Sequence, residues 1–183
     1  MLGPAVSLVA ETVMKVIVWV SPTLIVFLKD GDPLIPLRQT FHKPFPWYPT
    51  LTGLCLVVVL LHTAHIFMSG ISTWGIFDSV WIWLSLSAAF IEETVFRGLL
   101  FNGQAASMGV KKAAVLNGLL FAVYHFPEFV LGQRLSAIFG LRFWVIMVAG
   151  TVFSLAFAKW RHLGMTVVIH FVWNLLCYWF ALA

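Results

Sequence analysis

Two adjacent carboxylates, Glu92 and Glu93, open the stretch Glu92-Glu93-Thr94-Val95-Phe96-Arg97-Gly98, inside an apolar run from 80 to 101. Acids at membrane depth cost a few kcal/mol each, so a chain that keeps two of them usually uses them. Glu93 and Arg97 are four apart, which on a helix places them on one face where they can pair. Glu92 is rotated roughly 100° from that face. The expected division is therefore a structural acid, Glu93, and a reactive one, Glu92. Further along, His125 follows Phe121 by four residues, and Asn174 follows His170 by four. A carboxylate, two imidazoles and an amide, with no serine or cysteine among them, point to water as the nucleophile. Glu92 would take its proton as general base. His170 and Asn174 would donate to a developing oxyanion, and His125 would hold the water or relay a proton. The chemistry is hydrolysis of an acyl bond, a peptide bond above all. The same residues allow a second mechanism, in which Glu92, His125 and His170 bind Zn²⁺ with water in the fourth position. No HExxH motif is present. Each residue alone has a plainer explanation: an acid snorkelling at a helix end, a core histidine, an asparagine bonding between helices.

The elements that must carry these residues follow from composition. Of 183 residues, 61% are hydrophobic and 10% charged, far from the balance of a soluble domain. This predicts an all-α, polytopic membrane protein forming a single transmembrane domain over 1–183. About six helices are expected, near 5–28, 50–68, 79–101, 113–126, 137–158 and 165–183. Glu11 and Lys15 in the first can pair, and Pro22 can bend or end it. His62 and His65 in the second read as structural or interfacial. Cys55 and Cys177 lie in apolar segments and read as buried thiols, with no zinc-type spacing. The N-terminus has no Lys or Arg before its apolar run and does not resemble a cleavable signal peptide. Trp47 and Tyr48 suit a membrane interface, and Arg142 can snorkel to one.

The net charge of +4 sits in short loops and marks orientation, not nucleic-acid binding. Lys29, Arg38, Lys43, Lys111, Lys112, Lys159 and Arg161 fall in alternate loops, which the positive-inside rule assigns to the cytoplasm. Arg134 is in an opposite loop. Counted from the basic side at about 1.5 Å per residue, Glu92 lies roughly 15 Å in, His125 roughly 18 Å, His170 roughly 9 Å and Asn174 roughly 15 Å. Polar residues of three helices thus fall in overlapping layers. One polar intramembrane cavity, open to the cytoplasmic side, is the expectation.

The residues resemble those of a known family. Glu92-Glu93-Thr94-Val95-Phe96-Arg97 is similar to the EExxxR motif of the CPBP intramembrane proteases, which include CaaX prenyl endopeptidases and bacterial Abi proteins. Phe121 to His125 resembles the FxxxH motif, and His170 to Asn174 the HxxxN motif. The resemblance covers a catalytic core at about 79–179. It implies a glutamic-type intramembrane endopeptidase without a metal cofactor. In it Glu92 and His125 activate water, His170 and Asn174 form the oxyanion site, and Glu93, Arg97 and Phe121 support them. Zinc remains the alternative cofactor. The implied partners are the lipid bilayer and a membrane-anchored protein or peptide substrate, in a bacterial or archaeal cell membrane. Two readings of other classes stand beside it: a non-catalytic membrane scaffold or immunity protein, and a transporter using the acids and histidines as a proton path.

Overall fold

The computed structural model describes residues 43–69, 79–126 and 140–179, together with 13, 17, 21, 35 and 37–41. Most of the expected first segment, Glu11, Lys15 and Pro22 included, lies outside the described residues, as does Arg134. Among the described residues every regular element is helical. They are α1 (Trp47–Ser69), α2 (Ser79–Glu93), a π-helix (Thr94–Phe101), α3 (Asn102–Met108), α4 (Val110–Tyr124), α5 (Leu141–Trp160) and α6 (Leu163–Trp179), with one 3₁₀ turn at Leu37–Thr40.

Among the described residues two stretches are long and apolar enough to cross a membrane, Trp47–Ile66 and Leu141–Trp160, at 20 residues each. At about 1.5 Å per residue each reaches roughly 30 Å, the thickness of a hydrocarbon core. Leu163–Cys177 is a shorter apolar helix. On α1, Leu51, Leu56, Val59 and Leu60 are exposed. A face this apolar suits lipid and is a liability in water. Cys55 is exposed on the same helix, and Cys177 is half-buried. The expectation of two buried thiols therefore fails for Cys55, which a lipid-facing helix accommodates because a thiol behaves as a small hydrophobe.

The chain divides into two compact units. The first contains α1, α2 and α6 from Gly164 onward. Its inward residues on α1 are Thr50, Val57, Leu61 and His65, a helical stripe. A Cβ on Gly53 would lie 2.6 Å from Ile169 Cδ1, so α1 and α6 meet where glycine removes the obstacle.

The second unit contains the π-helix and α3 to α5. Here two expectations are corrected. The run from 79 to 101 is not one α-helix: it is α up to Glu93 and π from Thr94. The expected loop 102–112 is mostly helical, with its break confined to Gly109. Gly109 has φ +83°, a backbone conformation open to glycine, and it ends α3 and starts α4 in one residue. Asn102, at the start of α3, grips the main chain of Ile35. Its Oδ1 accepts from the Ile35 N–H at 2.8 Å, while its Nδ2 donates to the carbonyls of Ile35 at 2.5 Å and Gly98 at 3.2 Å. Both residues are buried, so the amide satisfies main-chain groups that water does not reach.

Candidate active site

In the first unit, α2 ends on the acidic pair. Ser85, Ala89, Glu92 and Glu93 are buried, whereas Ile82, Trp83, Leu86 and Phe90 are exposed. The helix thus turns a narrow polar stripe inward and an apolar face outward. On α6, Thr166 and His170 are buried, and Asn174, one turn on, is half-buried. His170 Nδ1 lies 2.8 Å from Glu93 Oε1, and its Nε2 lies 3.7 Å from Glu92 Oε2. A carboxylate accepts, so with Glu93 ionised Nδ1 carries the hydrogen. The fold therefore gives Glu93 a partner 77 residues away, which the pairing rule within one helix did not reveal.

This bond restricts what His170 does. With Nδ1–H held by Glu93, a neutral ring presents a lone pair at Nε2. Only the doubly protonated ring donates there. An oxyanion donor at Nε2 thus requires the imidazolium, and Glu93 is its counter-ion. Glu92, beyond hydrogen-bond distance but within ion-pair reach, faces the same edge.

The second unit carries Arg97, Phe121 and His125. Arg97 is fully buried on the π-helix. Its guanidinium stands 4.5 Å from the centre of the Phe121 ring and 5.3 Å from that of Phe153, and Nη2 donates to the Gly150 carbonyl at 3.3 Å. A planar guanidinium can lie flat against an aromatic ring, which the compact ammonium of Lys cannot. The phenylalanine of the FxxxH pattern is thus a support for Arg97. Phe121 also meets Phe96 edge to face at 5.0 Å and His125 at 4.9 Å.

His125 ends α4, and its Nδ1 lies 2.8 Å from the Phe121 carbonyl. A carbonyl only accepts, so Nδ1 bears the hydrogen and the neutral ring offers its lone pair at Nε2. That is the tautomer a water-holding or proton-accepting imidazole needs. A helix-ending histidine bonded to its own i−4 carbonyl is legible in sequence only as the four-residue spacing.

Sequence reasoning missed two buried residues beside the motif. Asn117 and Ser154 are fully buried. Asn117 Nδ2 donates to the Phe96 carbonyl at 2.8 Å, and Ser154 Oγ approaches Asn117 Oδ1 at 3.0 Å and the Gly150 carbonyl at 2.9 Å. The available signal was that Asn117 precedes Phe121 by four residues, sharing its face.

For zinc, the donor pair in the first unit is Glu92 Oε2 with His170 Nε2, since His170 Nδ1 is engaged by Glu93. Among the described residues no group of three His, Cys, Asp or Glu side chains forms a metal cluster.

Apolar helices of the first unit thus bury two acids and an imidazole against one another. Residues 73–176 match the family model described as type II CAAX prenyl endopeptidase Rce1-like. The chain belongs to that family, a branch of the CPBP family of membrane-associated peptide hydrolases. The match spans more than half of the 183 residues and includes all three motifs. Comparison with curated proteins and with solved structures gave no match.

Proposed function

We propose that this chain is a glutamic-type intramembrane endopeptidase that hydrolyses a peptide bond of a membrane-associated protein or peptide. The observation that carries the reading is the buried Glu93–His170 bond with Glu92 at 3.7 Å, in a chain whose family consists of proteases. Glu92 takes a proton from water, and the hydroxide formed attacks the scissile carbonyl carbon. The carbonyl oxygen becomes an oxyanion that receives hydrogen bonds from the His170 imidazolium at Nε2 and from the Asn174 amide. Protonated Glu92 then delivers its proton to the leaving amine as the C–N bond breaks. His125 accepts a hydrogen bond from the attacking water at Nε2 and aligns it. Glu93 holds the His170 ring and balances its charge, a role analogous to the orienting acid of a triad. His125 is assigned to this step by its motif. The zinc alternative uses Glu92, His125 and His170, and is separated by chelation as argued below.

The protein is proposed to be multi-pass, with about six spans forming one domain and its polar cavity open to the cytoplasm of a bacterial or archaeal cell. Hydropathy and the placement of lysines and arginines support this.

The test compares membrane-protein termini in cells carrying the wild type or Glu92→Gln. New peptide ends present only with the wild type identify the substrate and the bond. Identical termini, with both proteins present in the membrane and the candidate substrate co-expressed, would favour a non-catalytic scaffold. A transporter predicts pH-driven flux in proteoliposomes that Glu92→Gln abolishes.

A further inference from the structure

We propose that Asn117 is a positioning residue of the active site: with Ser154 it fixes the register of the π-helix that carries Arg97. The proposal rests on the endopeptidase reading for its effect on cleavage, but its structural part stands on the geometry alone.

The close approach comes first. A Cβ on Gly150 would stand 3.0 Å from Gly118 Cα, so α4 and α5 touch through two bare α-carbons. Asn117 is next to one of them and Ser154 is one turn beyond the other. At that separation the Ser154 hydroxyl reaches Asn117 Oδ1 at 3.0 Å. The amide orientation is settled by chemistry. The Phe96 carbonyl accepts only, so the Asn117 NH₂ faces it at 2.8 Å, and Oδ1 faces the hydroxyl.

The acceptor is what makes this more than an interhelical hydrogen bond. Phe96 directly precedes Arg97 and lies in the π-helix. A π-helix bonds i to i+5, and ordinary α pairing lies one residue away. A fixed donor on the Phe96 carbonyl favours one register. Asn117 and Phe121, one turn apart on α4, thereby hold consecutive residues. Asn117 takes the main chain of Phe96, and Phe121 faces the guanidinium of Arg97 at 4.5 Å. The FxxxH pattern thus extends one turn backwards, as Asn117-x₃-Phe121-x₃-His125. A slip from π to α pairing would rotate Arg97 away from Phe121 and Phe153.

The experiment uses the full chain in nanodiscs. Hydrogen–deuterium exchange is read over 94–101, and cleavage is read as the rate of appearance of the wild-type-only peptide ends found above. In Asn117→Leu, exchange over 94–101 should rise about tenfold or more, and cleavage should fall at least about tenfold per folded molecule. Ser154→Ala should show the same pattern more weakly, and Ser154→Thr, which keeps the hydroxyl, should resemble the wild type. Thr151→Ala removes a hydroxyl on the same helix that bonds only its own turn, at the Met147 carbonyl, without adding bulk at the crossing, and should leave both readouts close to the wild type. If Asn117→Leu does not fold, the Ser154→Ala and Ser154→Thr pair decides. Unchanged exchange over 94–101 in folded variants overturns the proposal, as does faster exchange with undiminished cleavage. Faster exchange where the wild type itself cleaves nothing supports the register role and removes the endopeptidase reading instead.

Discussion

His170 is bonded through Nδ1 to Glu93 Oε1 at 2.8 Å, so the second acid of the pair holds an imidazole on another helix. The two acids therefore differ in what their loss removes. Glu92→Gln keeps shape and removes the base. It should leave a folded protein with cleavage reduced by about 10²–10⁴-fold, the usual contribution of general acid–base catalysis. Glu93→Gln keeps an acceptor for Nδ1–H but removes the counter-ion of the imidazolium. Its kcat should fall by roughly 10²-fold with KM little changed, because the bond matters when charge develops. Wild-type turnover in purified Glu93→Gln would remove Glu93 from the mechanism.

Arg97 answers to a different test. It is fully buried, with its guanidinium against the Phe121 and Phe153 rings. Arg97→Ala deletes a large buried side chain and both cation–aromatic contacts, a loss of roughly 3–5 kcal/mol by analogy with large core truncations. Thermal unfolding in detergent should show it as a large fall in midpoint and yield. Arg97→Lys keeps the charge without the plane and should fall between. Normal stability in Arg97→Ala would mean that the aromatic cradle carries no folding energy.

Local parts of this arrangement were legible in the sequence, because four-residue spacings report helix faces directly. The contact of Phe121 with His125 needed only the helical period. The Glu93–His170 bond was not legible, since no local rule selects a partner 77 residues away. The π-helix was hidden for another reason. Thr94 to Phe101 is apolar apart from Arg97 and Thr94, and such a run has the same appearance at either helical period. Around Gly103, Gln104 and Ser107 the polarity suggested a loop, yet the chain remains helical until Gly109 forces the turn. Asn117 was overlooked because a single amide in an apolar helix has no pattern of its own.

Metal removal separates the two hydrolytic mechanisms. A glutamate-activated water should survive dialysis against EDTA or 1,10-phenanthroline with cleavage unchanged. A zinc mechanism predicts loss on chelation and recovery on adding Zn²⁺. Chelator-sensitive cleavage restored by zinc would replace the glutamate mechanism with the metal one.

The turn between α5 and α6 should make the fold sensitive to acid. His162 is buried there, and desolvation lowers its pKa below the usual 6.5, opposed by a hydrogen bond with the backbone of Lys43. Between the folded and unfolded values the unfolded chain binds more protons, so stability rises with pH across that window. The His162 contribution is therefore complete above about pH 6.5 and is lost as pH falls towards the lowered folded value. Unfolding midpoints at pH 8, 6.5 and 5 should decline less in His162→Leu than in the wild type. Parallel declines in the two proteins would exclude His162 as the sensor.

Two glycines make opposite forecasts from the same kind of contact. A Cβ on Gly118 would collide with Thr151 Oγ1 and would lie 2.5 Å from the Met147 carbonyl oxygen and 2.8 Å from the Thr151 nitrogen. Two of these atoms are main chain, so relief requires α4 and α5 to separate. That movement would also draw Asn117 away from Ser154. A Cβ on Gly53 meets only Ile169, at Cδ1 2.6 Å and Cγ1 3.3 Å, and a terminal methyl can turn aside. Overpacking costs about 1–3 kcal/mol where the surroundings cannot yield. Gly118→Ala should fall in or above that range, while Gly53→Ala gains about 0.5–1 kcal/mol of helix propensity to set against a small repacking cost. Unfolding midpoints in detergent should therefore drop clearly for the first and move little for the second. The reverse order would place the tight crossing in the wrong helix pair.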